Sequence, residues 1–94
     1  MKTVFQGLIE EAGYETRSYS GRGMYGKTCL GVDLEGGNLG RLLGDLVEMT
    51  ATSDDPGEAV EIVAEGLRSM QTGSMGRGMI VYFEDVSYDG PVQP

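Results

Sequence analysis

Apolar residues recur at helical spacing in three stretches of this chain, and in the segments between them they alternate or run continuously. Val4, Phe5, Leu8, Ile9 and Ala12 mark a first helix over about residues 2–12, with Gln6, Glu10 and Glu11 outside and Gly13 at the natural C′ position. Residues 14–20 then change to a β-favouring mixture of Tyr, Thr and Ser. After a glycine-rich turn over 21–26, the run from Thr28 to Leu34 alternates with period two, so the two segments are read as a hairpin. Leu30, Val32 and Leu34 point to one face, and Cys29, Gly31 and Asp33 to the other. One face is thus left for helices and one nearly bare.

Asn38 supplies an N-cap for a second helix over about 39–50, whose apolar stripe is Leu39, Leu42, Leu43, Leu46 and Val47, with Arg41, Asp45 and Glu48 opposite. The third helix opens on the clearest local signal: Asp55 as cap, Pro56 at N1 and Glu58 at N3. Its inner face is read as Val60, Val63, Ala64 and Leu67, and its outer face carries Glu58, Glu61 and Glu65, relieved by Arg68. A flexible Thr72-Gly73-Ser74 stretch follows. The continuous apolar run over 79–83 then reads as a strand covered on both faces, in the middle of the sheet or in an oligomer interface.

The expected fold is therefore α+β, in the order α-β-β-α-α-β, with a three-stranded antiparallel sheet and helices packed on one face. Residues 1–86 form a single domain and 87–94, with two prolines and a Tyr88-Asp89-Gly90-Pro91 turn signal, a loosely attached tail. The second sheet face is either made partly polar by Tyr14, Tyr19 and Tyr82 or covered by another copy of the chain, a homodimer.

Composition narrows the chemistry. Ninety-four residues make one domain with a modest core, and 16 glycines imply many sharp turns. No stretch is long and apolar enough to span a bilayer, and the N-terminal residues lack a signal-peptide pattern, so the expected location is the cytoplasm, without a membrane partner. Histidine is absent and Cys29 is the sole cysteine, which excludes an internal disulfide and argues against zinc or haem. Fifteen acidic against seven basic residues give a formal charge of -8, which opposes direct binding to nucleic acid phosphates and favours a basic protein partner.

One phrase occurs twice: Gly21-Arg22-Gly23-Met24 returns as Gly76-Arg77-Gly78-Met79. Glycine lets backbone approach a ligand or chain closely, and arginine offers a rigid five-donor fork, so these loops are candidate contact sites. The first ends in Gly26-Lys27-Thr28, but a phosphate loop needs a preceding strand, four residues between its glycines and a helix after the lysine, whereas a strand pattern follows here. Catalysis is the weakest class of explanation, with no histidine and no evident nucleophile beside a base, and no cofactor is expected. Asp33 and Glu35 would form a carboxylate cluster with Glu84 and Asp85 only if their strand ends were adjacent.

Three function classes remain. The first is a stoichiometric inhibitor or adaptor that presents Glu58, Glu61 and Glu65, with Asp54 and Asp55, to a basic surface in imitation of a nucleic acid strand. The second is a phosphate- or nucleotide-binding module in which Arg22, Lys27 and Arg77 converge at one end of the sheet and Tyr19 or Tyr25 stacks on a base. The third is a subunit that self-associates through strand 79–83 and the methionines Met24, Met75 and Met79. The stretch Ser18-Tyr19-Ser20-Gly21-Arg22-Gly23-Met24-Tyr25-Gly26-Lys27-Thr28-Cys29 resembles a string found in small uncharacterised bacteriophage proteins. In size and acidity the chain is also similar to phage anti-defence proteins such as anti-CRISPR inhibitors. These resemblances imply a non-enzymatic protein that occludes a bacterial host or defence protein, with Arg22, Met24, Tyr25, Lys27 and Arg77 beside the acidic stripe at the contact. They bring no catalytic residues with them.

Overall fold

The computed structural model describes residues 3–19, 28–76 and 78–90. Helix α1 (Val4–Glu11) begins where the Thr3 hydroxyl accepts the Gln6 amide at 3.1 Å. It ends in a double turn: the Gly13 amide donates to Glu10 O and the Tyr14 amide to Ile9 O, with Gly13 at φ 99°. A side chain at Gly13 would strain that left-handed cap. Strands β1 (Thr16–Tyr19) and β2 (Cys29–Leu34) form the expected antiparallel hairpin, and a short 3-10 turn (Glu35–Gly37) leads into α2 (Leu39–Thr52) and α3 (Pro56–Arg68). Both predicted caps form, with Asn38 Oδ1 accepting from Arg41 N at 3.0 Å and Asp55 Oδ1 from Glu58 N at 3.1 Å.

The chain is α+β as expected, but the sheet has four strands rather than three and the element order gains a strand. Residues read as a flexible connector form β3 (Met70–Met75), which pairs antiparallel with β4 (Gly78–Ser87) and gives the order β1-β2-β4-β3. With one β-branched residue and a central glycine, Met70–Met75 has little intrinsic strand preference; backbone pairing to β4 decides its conformation. The predicted strand 79–83 lies inside β4, between β2 and β3. Both its edges are thus occupied, and it offers no free edge to a second copy.

The register fixes the two faces. Leu30 opposes Phe83, Val32 opposes Val81 and Leu34 opposes Met79, and this set faces the helices. With Phe5 and Ile9 of α1, Leu42 and Leu46 of α2, and Val63 of α3, these strand residues build the core, Met79 packing against it half-buried. The other face is not bare. Tyr19 and Tyr82 stack there with ring centroids 4.3 Å apart, Gly31 lies beneath the Tyr19 Cβ, Arg17 pairs with Asp33 at 3.3 Å, and Cys29 and Ile80 are buried. Tyr14 is not on this face, since its hydroxyl donates to Asp45 of α2.

Helix α3 is rotated by roughly 80° from its predicted orientation. Ala59, Val63 and Gly66 are its buried residues, whereas Val60 is 53% exposed and Ala64 is exposed. The cause is Phe5. A Cβ on Gly66 would lie 2.5 Å from the Phe5 ring, which meets Phe83 edge-on at 4.9 Å. Val4 and Val47, also predicted inside, are 62% and 65% exposed.

Beyond Phe83, β4 slips against β2, so that Leu30 opposes Phe83 but Cys29 opposes Ser87. The displaced backbone is held by Ser69 at the end of α3, whose carbonyl accepts from Glu84 N and whose hydroxyl accepts from Asp85 N. The fully buried Gln6 then clasps Asp89: Nε2 donates to Asp89 O at 2.8 Å and Oε1 accepts from Asp89 N at 2.9 Å. The first residues of the expected tail are thereby tied to α1, and 91–94 lie outside the described residues.

Two outcomes follow from this packing. Gly66→Ala destabilises the fold by about 1–3 kcal/mol despite its helix-propensity gain, and Phe5→Leu in the same chain recovers part of that loss; urea denaturation of the double-mutant cycle measures both. Gln6→Ala removes both side-chain hydrogen bonds to the Asp89 backbone and costs about 1–3 kcal/mol, with faster amide exchange at Asp89.

Candidate functional site

The acidic stripe is real on the surface. Glu58, Glu61 and Glu65 are all exposed on α3, and Asp54 and Asp55 are exposed just before it. The rotation of the helix changes what each one borders. Taking Ala59, Val63 and Gly66 as the inward direction, successive 100° steps put Glu58 and Glu65 on the flank toward α1 and Glu61 closest to the outward normal. Val60 and Ala64 fall on the opposite flank.

On the α1 flank a groove of about 400 Å³ is lined by Val4, Ile62, Glu65, Arg68, Asp85 and Val86 among others. A second, of about 200 Å³, shares Val4 and Ile62 with it and adds Leu8, Asp55 and Glu58. The two hollows are adjacent along α3, sharing Val4 and Ile62, with aliphatic side chains between carboxylates. Sequence placed none of Val4, Leu8, Ile62, Asp85 and Val86 at a contact: Val4 and Leu8 read as inward positions of the first helix and Asp85 as part of a possible carboxylate cluster, while Ile62 and Val86 were not singled out. The small residues Ala59 and Gly66, at helical spacing on either side of Val63, were the signal that would have found this flank, because small side chains mark where helices approach most closely.

A hollow of about 560 Å³ lies elsewhere, beside Tyr14, Asp33, Glu35, Asn38 and Arg41. Two of its charged groups are engaged with neighbours: Arg17 holds Asp33, and Arg41 lies 3.9 Å from Asp45, which accepts the Tyr14 hydroxyl at 2.8 Å. Burial first, then this hydrogen bond and the Asp45 charge, raise the Tyr14 hydroxyl above its ordinary value of 10.0, while Arg41 opposes them.

The carboxylate pairs considered for a metal lie at opposite ends of the sheet. Asp33 and Glu35 sit by the start of β4, whereas Glu84 and Asp85 lie beyond Phe83, opposite the start of β2. No three Asp, Glu or Cys side chains are grouped to hold a metal ion among the described residues.

Arg22, Met24, Tyr25, Lys27 and Arg77 lie outside the described residues, but their anchors do not. The first Gly-Arg-Gly segment is joined to Tyr19 and Thr28, at the end of the sheet near Phe83 and Ser87. The second is joined to Met75 and Met79, at the end near Leu34. Those ends are about 17 Å apart along the strands, so the anchors do not support convergence of Arg22, Lys27 and Arg77 at one end. Strand β2 begins two residues after Lys27, as the rejection of a phosphate loop required.

No helix among the described residues is long and apolar enough to cross a membrane. No protein-family model, curated protein or solved structure matches the chain.

The Tyr14 contact gives a pH-dependent outcome. Because the neutral phenol is favoured in the folded state, its contribution is fully present below pH 10 and is lost as pH rises through the raised folded value. Tyr14→Phe therefore lowers stability by about 1 kcal/mol near neutral pH. Urea denaturation of both proteins at increasing pH shows the gap closing above about pH 10.

Proposed function

We propose that this chain is a non-enzymatic binding protein that presents the carboxylates of α3 to a basic surface of its partner and so blocks it. The observation that carries the reading is the exposure of Glu58, Glu61 and Glu65 on one capped helix, next to Asp54 and Asp55, in a chain of formal charge -8. Along the helix axis these glutamates rise by about 4.5 and about 6 Å, a spacing of negative charge that a nucleic-acid-binding groove accepts in place of phosphates. A net negative field also speeds encounter with a basic partner.

The resemblance of the 18–29 stretch to small bacteriophage proteins supports a bacterial host or defence protein as the target. The Arg22 loop, anchored at the sheet end where α3 finishes, stands as a second contact. Arg77 is anchored at the far end and belongs to the contact only if the partner spans the sheet.

The test is capture from bacterial lysate, identification of the captured protein and reconstitution of the pair. The intact chain forms a stoichiometric complex by light scattering, and E58K/E61K/E65K weakens it more than about tenfold, or about 1.4 kcal/mol. Compared one site at a time, Glu15→Lys next to β1 changes affinity far less than Glu58→Lys, an equal charge step on α3. A complex indifferent to the triple reversal overturns the acidic-surface reading, and failure to reconstitute any pair overturns the binding function.

A further inference from the structure

We propose that the groove between α1 and α3 receives a basic amphipathic helix of the partner. This rests on the acidic-surface reading above and names the segment that surface takes. The floor is aliphatic and accessible, with Val4 62% exposed and Leu8 and Ile62 half-buried. At the far end the slipped backbone of β4 brings Val86 into the same trough. Apolar side chains in such a trough gain by being covered, and Val4 retains most of its surface in the free protein.

The rim decides the occupant. Among the described residues, Asp55, Glu58, Glu65 and Asp85 border the two adjacent hollows, with Arg68 as the cation. A helix lying on Val4, Leu8 and Ile62 would bury a stripe spaced at three and four residues, while lysines and arginines on either side of that stripe extend to the rim with their aliphatic stems along the walls. An acidic or uncharged amphipathic helix fills the floor but meets the rim unfavourably, and phosphate-bearing surfaces are repelled.

A second copy of this chain is a poor occupant. Helix α1 has no basic residue within Val4–Glu11, and α2 and α3 carry one each, Arg41 and Arg68. None of the three is a basic amphipathic helix.

The test uses the full chain and two synthetic peptides of about sixteen residues. One places leucines at helical spacing with lysines flanking them, and the other has the same composition shuffled. At near-physiological salt, fluorescence anisotropy should show the amphipathic peptide binding at least about tenfold tighter than the shuffled one. Its amide shifts should centre on Val4, Leu8 and Ile62. Val4→Ser, a change at an exposed position with the fold checked by circular dichroism, should weaken the amphipathic peptide at least about fivefold and leave the shuffled one unchanged.

Equal binding of the two peptides, shifts centred elsewhere, or indifference to Val4→Ser overturns the groove, as does a Val4-dependent dimer of the free chain. The two readings fail separately. A partner complex lost in E58K/E61K/E65K but intact in Val4→Ser removes the groove and keeps the acidic surface. Groove binding of the amphipathic peptide without any reconstituted partner keeps the groove and removes the blocking function.

Discussion

The approach of Phe5 to Gly66 governs the arrangement of the helical layer. Phe5 is 4% exposed, with its ring edge-on to Phe83 and its flank against the α3 backbone. An aromatic ring wedged between a strand and a helix tolerates no side chain at the contact point, so α3 turns two of its four small residues, Ala59 and Gly66, toward α1 and the sheet. The larger Val60 is left outside because the ring has already filled the space a valine would take. Hydrophobicity sets which helices pack, and volume sets which way they face.

That orientation reaches the surface. With α3 facing inward along Ala59, Val63 and Gly66, the exposed Glu58 and Glu65 carboxylates border the seam with α1. Ser69, at the close of the same helix, accepts two amides of the slipped β4 backbone and draws Asp85 and Val86 to the seam. Gln6, from the turn of α1 that carries Val4 and Phe5, secures the following residues through Asp89. Three contacts from two helices therefore build the trough, and one of them, Phe5 against Gly66, also lines it.

Local chemistry was legible in the sequence and tertiary packing was not. The caps at Asn38 and Asp55 and the Gly13 turn rest on interactions within a few residues, the strand at Cys29–Leu34 and the apolar core of β4 show in the pattern of one continuous segment, and each is where the pattern placed it. Strand β3 was missed because Met70–Met75 owes its conformation to the hydrogen bonds of β4. The α3 face was misread because helical periodicity rewards large aliphatic residues, whereas the contact with Phe5 selects small ones. The exposed glutamates were readable one by one, but not the aliphatic seam beside Glu58 and Glu65, which requires knowing that α1 lies on that flank.

The side of the sheet away from the three helices poses the remaining structural question. Its chemistry is largely satisfied within the chain: the tyrosine rings cover each other across Gly31, Arg17 neutralises Asp33, and Cys29 and Ile80 are already buried. A partner docking there would have to separate or desolvate groups that already have partners, at a cost set by the lost ion pair and ring contact. The seam between α1 and α3 imposes no such penalty, because Val4 is mostly in water and the rim carboxylates lose repulsion among themselves when cations enter. Binding energy is therefore more readily gained at the seam than on the larger and flatter sheet face.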